Sequence, residues 1–193
     1  IEIEGRVGLV IDKNKNRIKL PINTDAIIEN NYSDFQAGID RESFEYLLDY
    51  FHNMTLKKRL SIRNNNNTHG LTTSKSQHIY NNLVDKNDSI DYRISINIEY
   101  TKPISKLYLS KNTPVHERLK ERTTFINTYL GLQVDMTKIK TKNNELYEVE
   151  IEIPSKTIFK AMSNLRNKKD SNYLHFICSN LVNNIRGICS QLN

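Results

Sequence analysis

Two short runs of alternating glutamates are the residues of this sequence best suited to chemistry. The first run is Glu2 and Glu4 at the beginning, and the second is Glu148, Glu150 and Glu152 just before a proline. Side chains alternate between the two faces of an extended strand, so the acids of each run share one face. Carboxylates this close together repel one another unless cations lie between them, and Mg²⁺ and Mn²⁺ prefer carboxylate oxygens and water as ligands. The pattern therefore predicts a site for Mg²⁺ or Mn²⁺.

A set of basic side chains shows the same alternation. Arg118, Lys120 and Arg122 share one face of the predicted strand 117–125. Close Arg and Lys side chains bind phosphate oxygens. A divalent ion that bridges protein acids and a phosphoryl oxygen neutralises the charge that develops in phosphoryl transfer, and a water serves as the nucleophile. The two sets together predict hydrolysis of a phosphorylated substrate.

Two neighbouring segments also have polar side chains on one face only. These residues are Asp91, Arg93, Ser95, Asn97 and Glu99 in segment 91–100, and Gln133, Asp135 and Thr137 in segment 131–138. Such alternation also fits an antiparallel sheet with one face in water. Consecutive acids on one strand gain nothing in water, however, and the same holds for consecutive bases on another. We therefore expect the polar faces to line a closed barrel of about eight strands, with the apolar faces outward under helices.

The elements that must position these residues follow from periodicity and turn residues. One helix is capped by Asp40 and runs through Phe51, a second begins at Ser155, and a third covers about 173–192. The Asn-rich run 64–70 predicts a surface loop. Strands are predicted near 2–10, 17–23, 76–83, 91–100, 105–110, 117–125, 131–138 and 145–153. The sequence thus predicts an α+β fold: a closed antiparallel eight-stranded barrel with helices packed outside.

Length and composition set broader limits. A chain of 193 residues is expected to form one domain, residues 1–193. The net charge of +6 favours a polyanionic partner. Cys178 and Cys189 lack the spacing of a metal site, which predicts free thiols in a reducing compartment. No apolar run reaches the roughly 18 residues of a membrane span. Because the first residue is not Met, we expect a fragment of a longer protein.

The motifs, taken in order, resemble the triphosphate tunnel metalloenzymes, specifically the metal-dependent RNA 5′-triphosphatases of fungal, protozoan and large-DNA-virus mRNA capping. The compact length and the Asn/Lys-rich composition look most like the mimivirus-type members. The matching segments are Ile1-Glu2-Ile3-Glu4-Gly5-Arg6-Val7-Gly8, Phe35-Gln36-Ala37-Gly38-Ile39-Asp40, Asp91-Tyr92-Arg93-Ile94-Ser95, Glu117-Arg118-Leu119-Lys120-Glu121-Arg122-Thr123, Val134-Asp135-Met136-Thr137-Lys138 and Tyr147-Glu148-Val149-Glu150-Ile151-Glu152. One departure is Gln133, which stands where the family often has Arg.

The resemblance implies an eight-stranded tunnel that removes the γ-phosphate of triphosphate-ended RNA, the first step of mRNA capping, and that also hydrolyses nucleoside triphosphates. It assigns the Mg²⁺ or Mn²⁺ ion to Glu2, Glu4 and Glu152, and the orientation of the attacking water to Glu150 or Glu148. It assigns phosphate contacts to Arg93, Lys120 and Arg122. The family has one more lysine in the tunnel, and Lys106 fits that role best because the alternation places it on the polar face. Arg118 would support these cations, and Asp135 and Thr137 would brace them.

The resemblance also implies partners and a setting. They are the 5′-triphosphate end of nascent mRNA, and guanylyltransferase and methyltransferase domains in the same chain. A viral cytoplasmic compartment or virion suits the mimivirus-type likeness, and the nucleus is the alternative; we expect no membrane association. Two other functions stay open: a tunnel enzyme for inorganic tripolyphosphate or another small triphosphate, and a noncatalytic basic module that binds RNA.

Overall fold

A computed structural model of the chain describes residues 1–18, 26–28, 33–57, 60–67, 75–83, 90–99 and 118–192. These ranges contain one antiparallel sheet and three helices. The strands are β1 (Glu2–Ile11), β2 (Ala26–Ile28), β3 (Asp34–Ala37), β4 (Ser61–Asn67), β5 (Lys75–Leu83), β6 (Asp91–Glu99), β7 (Leu119–Asn127), β8 (Leu132–Lys140) and β9 (Glu145–Ile153). The helices are α1 (Arg41–Leu56), α2 (Ser155–Lys168) and α3 (Asn172–Gln191). The prediction of an antiparallel α+β chain is confirmed.

In the sheet, the two acidic strands β1 and β9 are direct neighbours. Its hydrogen-bonded order is β2-β5-β6-β1-β9-β8-β7-β4, and β3 pairs additionally with β1. Within the described ranges the sheet has nine strands, and its hydrogen bonds leave it open between β2 and β4. The expected closed eight-stranded barrel therefore stays a prediction, whereas the antiparallel sheet flanked by helices is observed.

The apolar face of the sheet packs against α3 and α1. Buried Ile177, Leu181 and Ile185 of α3 join the core with the apolar residues of β1, β8 and β9. A Cβ on Gly5 would lie 2.5 Å from Ile185 Cδ1, so the absence of a side chain there lets α3 approach β1. On α1, the ring of Phe44 lies 5.2 Å from that of Tyr147.

The opposite face of the sheet is polar and yet largely buried. Its fully or nearly buried members are Glu4, Ser95, Asn97, Thr124, Asp135, Thr137 and Glu150. By contrast, Ile96 and Ile98 on the other face of β6 are 39% and 42% exposed. The polar face is thus sheltered from water as expected, whereas the closed barrel that it was predicted to line stays a prediction.

Several boundaries differ from the sequence prediction. The run Asn64 to Asn67 was expected to be a loop, but it belongs to β4 and pairs with residues 120–123 of β7. That prediction was wrong because pairing along β7 outweighs the weak strand preference of Asn. The second hairpin strand, 17–23, is described only to residue 18, where Arg17 forms an isolated bridge with Ile11. The predicted strand 105–110 lies outside the described residues.

The predicted helices are present, and Asp40 caps α1 by accepting a 2.8 Å hydrogen bond from the Ser43 amide. None of the helices in the described ranges is long and apolar enough to cross a membrane.

Candidate active site

The two glutamate runs meet on the inner, polar face of the sheet. β1 pairs with β9 in a register that sets Glu4 directly opposite Glu152 and Arg6 opposite Glu150. Because side chains two residues apart share a face, Glu2 lies on the same face beside this pair. The three carboxylates to which the resemblance assigns the metal therefore occupy adjacent positions on two paired strands.

An amide on β6 links two of these acids. Asn97 Nδ2 donates to Glu2 Oε2 at 3.0 Å and to Glu4 Oε1 at 3.1 Å. Ser95 Oγ donates to the same Glu4 oxygen at 3.2 Å. The other end of the amide, Asn97 Oδ1, is buried and has no hydrogen-bond partner. A buried oxygen acceptor without a donor, next to two carboxylates, suits a cation or a water bound to one.

Glu152 is the acid most affected by its neighbours. Its Oε1 accepts a hydrogen bond from Gln133 Nε2 at 2.5 Å. Burial, together with the charges of Asp135, Glu2 and Glu150, raises the pKa of Glu152 to about 7, and Arg122 opposes the shift. Burial and the neighbouring acids thus disfavour the negative charge of this carboxylate, and a divalent ion would compensate that charge.

The donor set fits Mg²⁺ or Mn²⁺ by chemistry, since it consists of carboxylates and one amide oxygen. In the described part of the chain, no three His, Cys, Asp or Glu side chains are already grouped as an ion site. Glu4 and Glu152 are engaged instead with the amides of Asn97 and Gln133. Metal binding would therefore exchange these hydrogen bonds for coordination.

Glu150 joins two arginines across the sheet. Arg6 Nη2 lies 2.9 Å from Glu150 Oε1 and 3.2 Å from Glu4 Oε2, and Arg122 Nη2 lies 3.3 Å from Glu150 Oε2. Burial alone would lower the pKa of Arg6, but the charges of Glu150 and Glu4 outweigh burial and raise it. The position of Glu150 is thus fixed from both sides by cations.

Arg122 is held by two further contacts from β8. Its Nη1 lies 2.8 Å from Asp135 Oδ2, and its Nε donates to Thr137 Oγ1 at 2.9 Å. The second carboxylate oxygen of Asp135 accepts from Thr124 Oγ1 at 2.6 Å. Asp135 and Thr137 therefore make the contacts that their predicted bracing role requires.

Arg93 differs from the two paired arginines. It lies opposite Arg6 on β6, and its guanidinium lies 4.9 Å from the centre of the Phe35 ring. Its Nε is buried and has no hydrogen-bond partner. Burial and the charge of Arg6 lower the pKa of Arg93. A half-buried cation that makes no ion pair in the described part of the chain is a natural position for an anion.

The other predicted site residues are placed less centrally. Lys120 and Glu148 are half-buried on the inner face, at positions two residues from Arg122 and Glu150. Arg118 is exposed just before β7 begins. It follows the same alternation as Lys120 and Arg122, but it lies outside the group of buried polar side chains. Lys106 lies outside the described residues.

Sequence reasoning missed Arg6, Thr124 and the linking role of Asn97. Arg6 was detectable, because it is the next residue after Glu2 and Glu4 on the same face of β1. The arrangement as a whole offers carboxylates, an open amide oxygen and an arginine that makes no ion pair within the described residues, all on one largely buried face. It is suited to binding an anion together with a divalent ion.

The fold of this sheet and its helices is similar to that of two solved structures of one protein. The S. pombe Pct1 RNA triphosphatase superposes with a TM-score of 0.78 at 18% sequence identity, covering 97% of this chain and 84% of that chain. A second Pct1 structure, in complex with the Spt5 CTD, gives 0.77 at 19% identity, covering 97% and 85%. At this identity the likeness shows the fold alone.

The family follows from sequence. A family model described as "mRNA capping enzyme, beta chain" matches residues 82–193, and the chain belongs to that family. The mRNA-capping enzyme subunit beta of Kluyveromyces lactis is 24% identical over 95% of this chain and 41% of its own length. The same subunit of Candida albicans is 24% identical over 100% of this chain and 45% of its own length. The chain spans less than half the length of these curated relatives.

Proposed function

We propose that this chain is an RNA 5′-triphosphatase of an mRNA capping system, which hydrolyses the γ-phosphate of triphosphate-ended RNA with the help of Mg²⁺ or Mn²⁺. The main support is the direct pairing of Glu4 with Glu152 beside the open oxygen of Asn97, on the same buried face as the unpaired Nε of Arg93. Family membership and the names of the relatives agree with this activity.

Glu2, Glu4 and Glu152 would hold the ion. When bound, a divalent ion neutralises the charge that develops on the phosphoryl oxygens. The protein's own part is to position three carboxylates at adjacent register positions and to keep their other contacts exchangeable, as the amide donors Asn97 and Gln133 do.

The remaining side chains bind and orient the reactants. Arg93 and Lys120 contact phosphate oxygens, and Arg6 and Arg122 hold Glu150 in place. Glu150, or Glu148 beside it, orients the water that attacks the γ-phosphorus. The new P–O bond forms to this water, and the bond between the γ-phosphorus and the bridging oxygen breaks. The products are inorganic phosphate and an RNA 5′-diphosphate.

The wider setting extends the same proposal. Charge contacts to phosphate do not read a base, so nucleoside triphosphates are substrates as well. A guanylyltransferase consumes the diphosphate end, and guanylyltransferase and methyltransferase domains in the same chain suit the mimivirus-type resemblance. That resemblance also favours a viral cytoplasmic compartment, with the nucleus as the alternative.

A tunnel enzyme for inorganic tripolyphosphate is the second candidate. It is favoured by the polar face itself, where the described groups available to a substrate are cations and carboxylates rather than a base-reading surface. Comparing kcat/KM for triphosphate-ended RNA and for tripolyphosphate separates the two, and a preference for tripolyphosphate would replace the RNA proposal.

The deciding experiment measures γ-phosphate release from triphosphate-ended RNA with and without Mg²⁺ or Mn²⁺. Glu4→Gln and Glu152→Gln keep the side-chain shape and remove the charge, so each is expected to lower release by more than about a hundredfold. Glu121→Gln is the control, because Glu121 is an exposed acid on the other face of β7. Metal-independent release, or full activity in both variants, would contradict the proposal.

A further inference from the structure

Exposed and half-buried aromatic side chains meet beside the turn between β7 and β8. We call Tyr129, Tyr173, Phe176 and Lys160 the rim cluster. Tyr129 is 83% exposed, and its ring lies 6.4 Å from that of Phe176, edge to face. The rings of Phe176 and Tyr173 are stacked at 6.4 Å, and Lys160 Nζ lies 5.1 Å from the centre of the Tyr173 ring.

The turn that presents Tyr129 is fixed against both C-terminal helices. The Leu130 carbonyl accepts a 3.4 Å hydrogen bond from Asn180 on α3. Gly131 adopts a φ of +69°, and a Cβ there would lie 3.0 Å from the Thr157 methyl group on α2. The rim cluster is therefore a built surface that holds three rings in a defined arrangement.

The rim cluster lies at the acidic end of the sheet. Asn127 and Leu132 pair at the hairpin end, and Gln133, the next residue on β8, donates to Glu152. Tyr129 is four residues before Gln133, which corresponds to at most about 13 Å of extended chain. A polymer whose end is bound near Glu152, and which leaves the sheet at this hairpin end, would lie within reach of these rings.

The helices beside the rim cluster have a strong charge imbalance. Across 155–192 the only acid is Asp170, whereas the basic residues are Lys156, Lys160, Arg166, Lys168, Lys169 and Arg186. A second copy of this chain would bring like charges together on this surface. Exposed rings with adjacent cations suit single-stranded nucleic acid, whose bases stack on aromatic faces while its phosphates meet Lys and Arg.

We propose that the rim cluster binds the single-stranded RNA that follows the 5′-triphosphate of the substrate. This proposal rests on the proposed function and goes beyond it, because it adds a base-stacking surface outside the phosphate site. The rings of Tyr129 and Phe176 stack on bases, and Lys160 neutralises a phosphate. The rim cluster supplies the RNA contacts that the charged inner face does not.

Binding is tested without catalysis, using a fluorescent 5′-hydroxyl oligoribonucleotide of about 12 nucleotides at about 50 mM salt. The Tyr129→Ala/Phe176→Ala double variant is expected to bind it about tenfold or more weakly. Tyr129→Ser is the single variant that preserves packing, because this side chain is mostly in solvent, and it is expected to weaken binding several-fold. Tyr46→Ala is the matched control, since Tyr46 is an exposed aromatic residue on α1. Unchanged binding in the double variant overturns the rim-cluster proposal.

Charge is tested by the salt dependence of the same binding. Lys160→Gln is expected to reduce the slope of log Kd against log salt by about 0.7, the value for one phosphate of a single strand. Lys142→Gln, at an exposed position in the β8–β9 turn, should leave the slope unchanged. An unchanged slope in Lys160→Gln removes this lysine from the proposed surface.

Steady-state kinetics test whether the rim cluster contacts the RNA substrate during turnover. The double variant is expected to raise KM for triphosphate-ended RNA about tenfold and to leave kcat/KM for a nucleoside triphosphate unchanged. An equal loss on both substrates overturns the proposal, and so does a dimer in solution that dissociates when Tyr129 and Phe176 are replaced. Absence of phosphate release from RNA by the parent overturns the proposed function, whereas normal release with unchanged KM in the variant overturns the rim cluster alone.

Discussion

Glu4 and Glu152 are direct cross-strand neighbours on β1 and β9, although 148 positions separate them in the chain. Glu4 accepts hydrogen bonds from Ser95 and Asn97, and Glu152 accepts one from Gln133. Glu4 also pairs with Arg6 at 3.2 Å, whereas the donor to Glu152 is the neutral amide of Gln133, so the negative charge of Glu152 is the less compensated of the two. Arg6 and Arg122 both pair with Glu150, so the end of the sheet around Glu152 is the more negative.

Divalent ions are expected to stabilise the folded protein through this pair. At a concentration about one hundred times Kd, Mg²⁺ or Mn²⁺ should add about 2.7 kcal/mol to the free energy of unfolding. Glu4→Gln should remove most of this gain, and Glu121→Gln should retain it. Thermal unfolding with and without metal measures the effect, and an equal gain in the parent and in Glu4→Gln would place the ion elsewhere.

The stability of the metal-free protein should fall as pH rises through the range of Glu152 titration. Its pKa is raised from 4.5 to about 7, so between these values the folded state binds more protons than the unfolded state. The contribution is fully present below about pH 4.5 and is lost as pH rises through about 7. Its size is on the order of 3 kcal/mol, since each pKa unit corresponds to about 1.4 kcal/mol. Urea unfolding from pH 5 to pH 8 should show this decline in the parent and a flatter profile in Glu152→Gln; equal profiles would contradict it.

Strand parity was enough to predict which residues share the polar face, because the side-chain period of a strand is two wherever the strand pairs. It placed Glu4, Arg93, Asp135 and Glu150 on one face before any pairing was known. Register between strands was not predictable in this way. The pairing of Glu4 with Glu152 follows from long-range packing, as does the choice of Arg6 and Arg122 as partners of Glu150.

Predictions from local composition were wrong where pairing with a distant strand decides the structure. The residues Asn64 to Asn67 have weak strand preference, yet their backbone groups pair with β7. Arg118 shares the parity of Arg122, but it lies before β7 begins and is exposed. Parity gives the face of a side chain, whereas depth along the sheet depends on where the strand begins and ends.

Arg6→Met is expected to destabilise the protein by about 3 kcal/mol, because it leaves Glu4 and Glu150 buried with one cation fewer. Arg41→Met is the matched control. Arg41 pairs with Glu45 at 2.7 Å on the exposed face of α1, where water screens the pair, so its loss should change stability little. Urea unfolding at neutral pH measures both changes, and equal losses would mean that burial does not distinguish the two ion pairs.

Gly5→Ala is expected to cost about 1–3 kcal/mol, since its Cβ would lie 2.5 Å from Ile185 Cδ1 and 3.1 Å from Ile151 Cγ2. Ile185→Val removes the closer of these atoms, so the double variant should be more stable than the sum of the single changes indicates. Gly187→Ala is the control, because nothing lies within 4 Å of its added methyl group, and it should stabilise α3 by about 0.5–1 kcal/mol. Additive losses in the Gly5→Ala/Ile185→Val variant would argue against this contact.

Arg93→Met is expected to weaken tripolyphosphate binding rather than stability, whereas Arg122→Met is expected mainly to lower the free energy of unfolding. Arg93 makes no ion pair in the described part of the chain, and its Nε is buried without a partner, so its loss should leave the free energy of unfolding within about 0.5 kcal/mol. Tripolyphosphate affinity should fall about tenfold or more, because one cation that meets the phosphate is removed. Arg122→Met should instead destabilise the protein by about 3 kcal/mol, since it leaves Asp135 without its cation and Glu150 with one fewer. Calorimetric titration with tripolyphosphate, combined with urea unfolding of each variant, separates the two arginines. Undiminished tripolyphosphate affinity in Arg93→Met would remove this residue from the phosphate site.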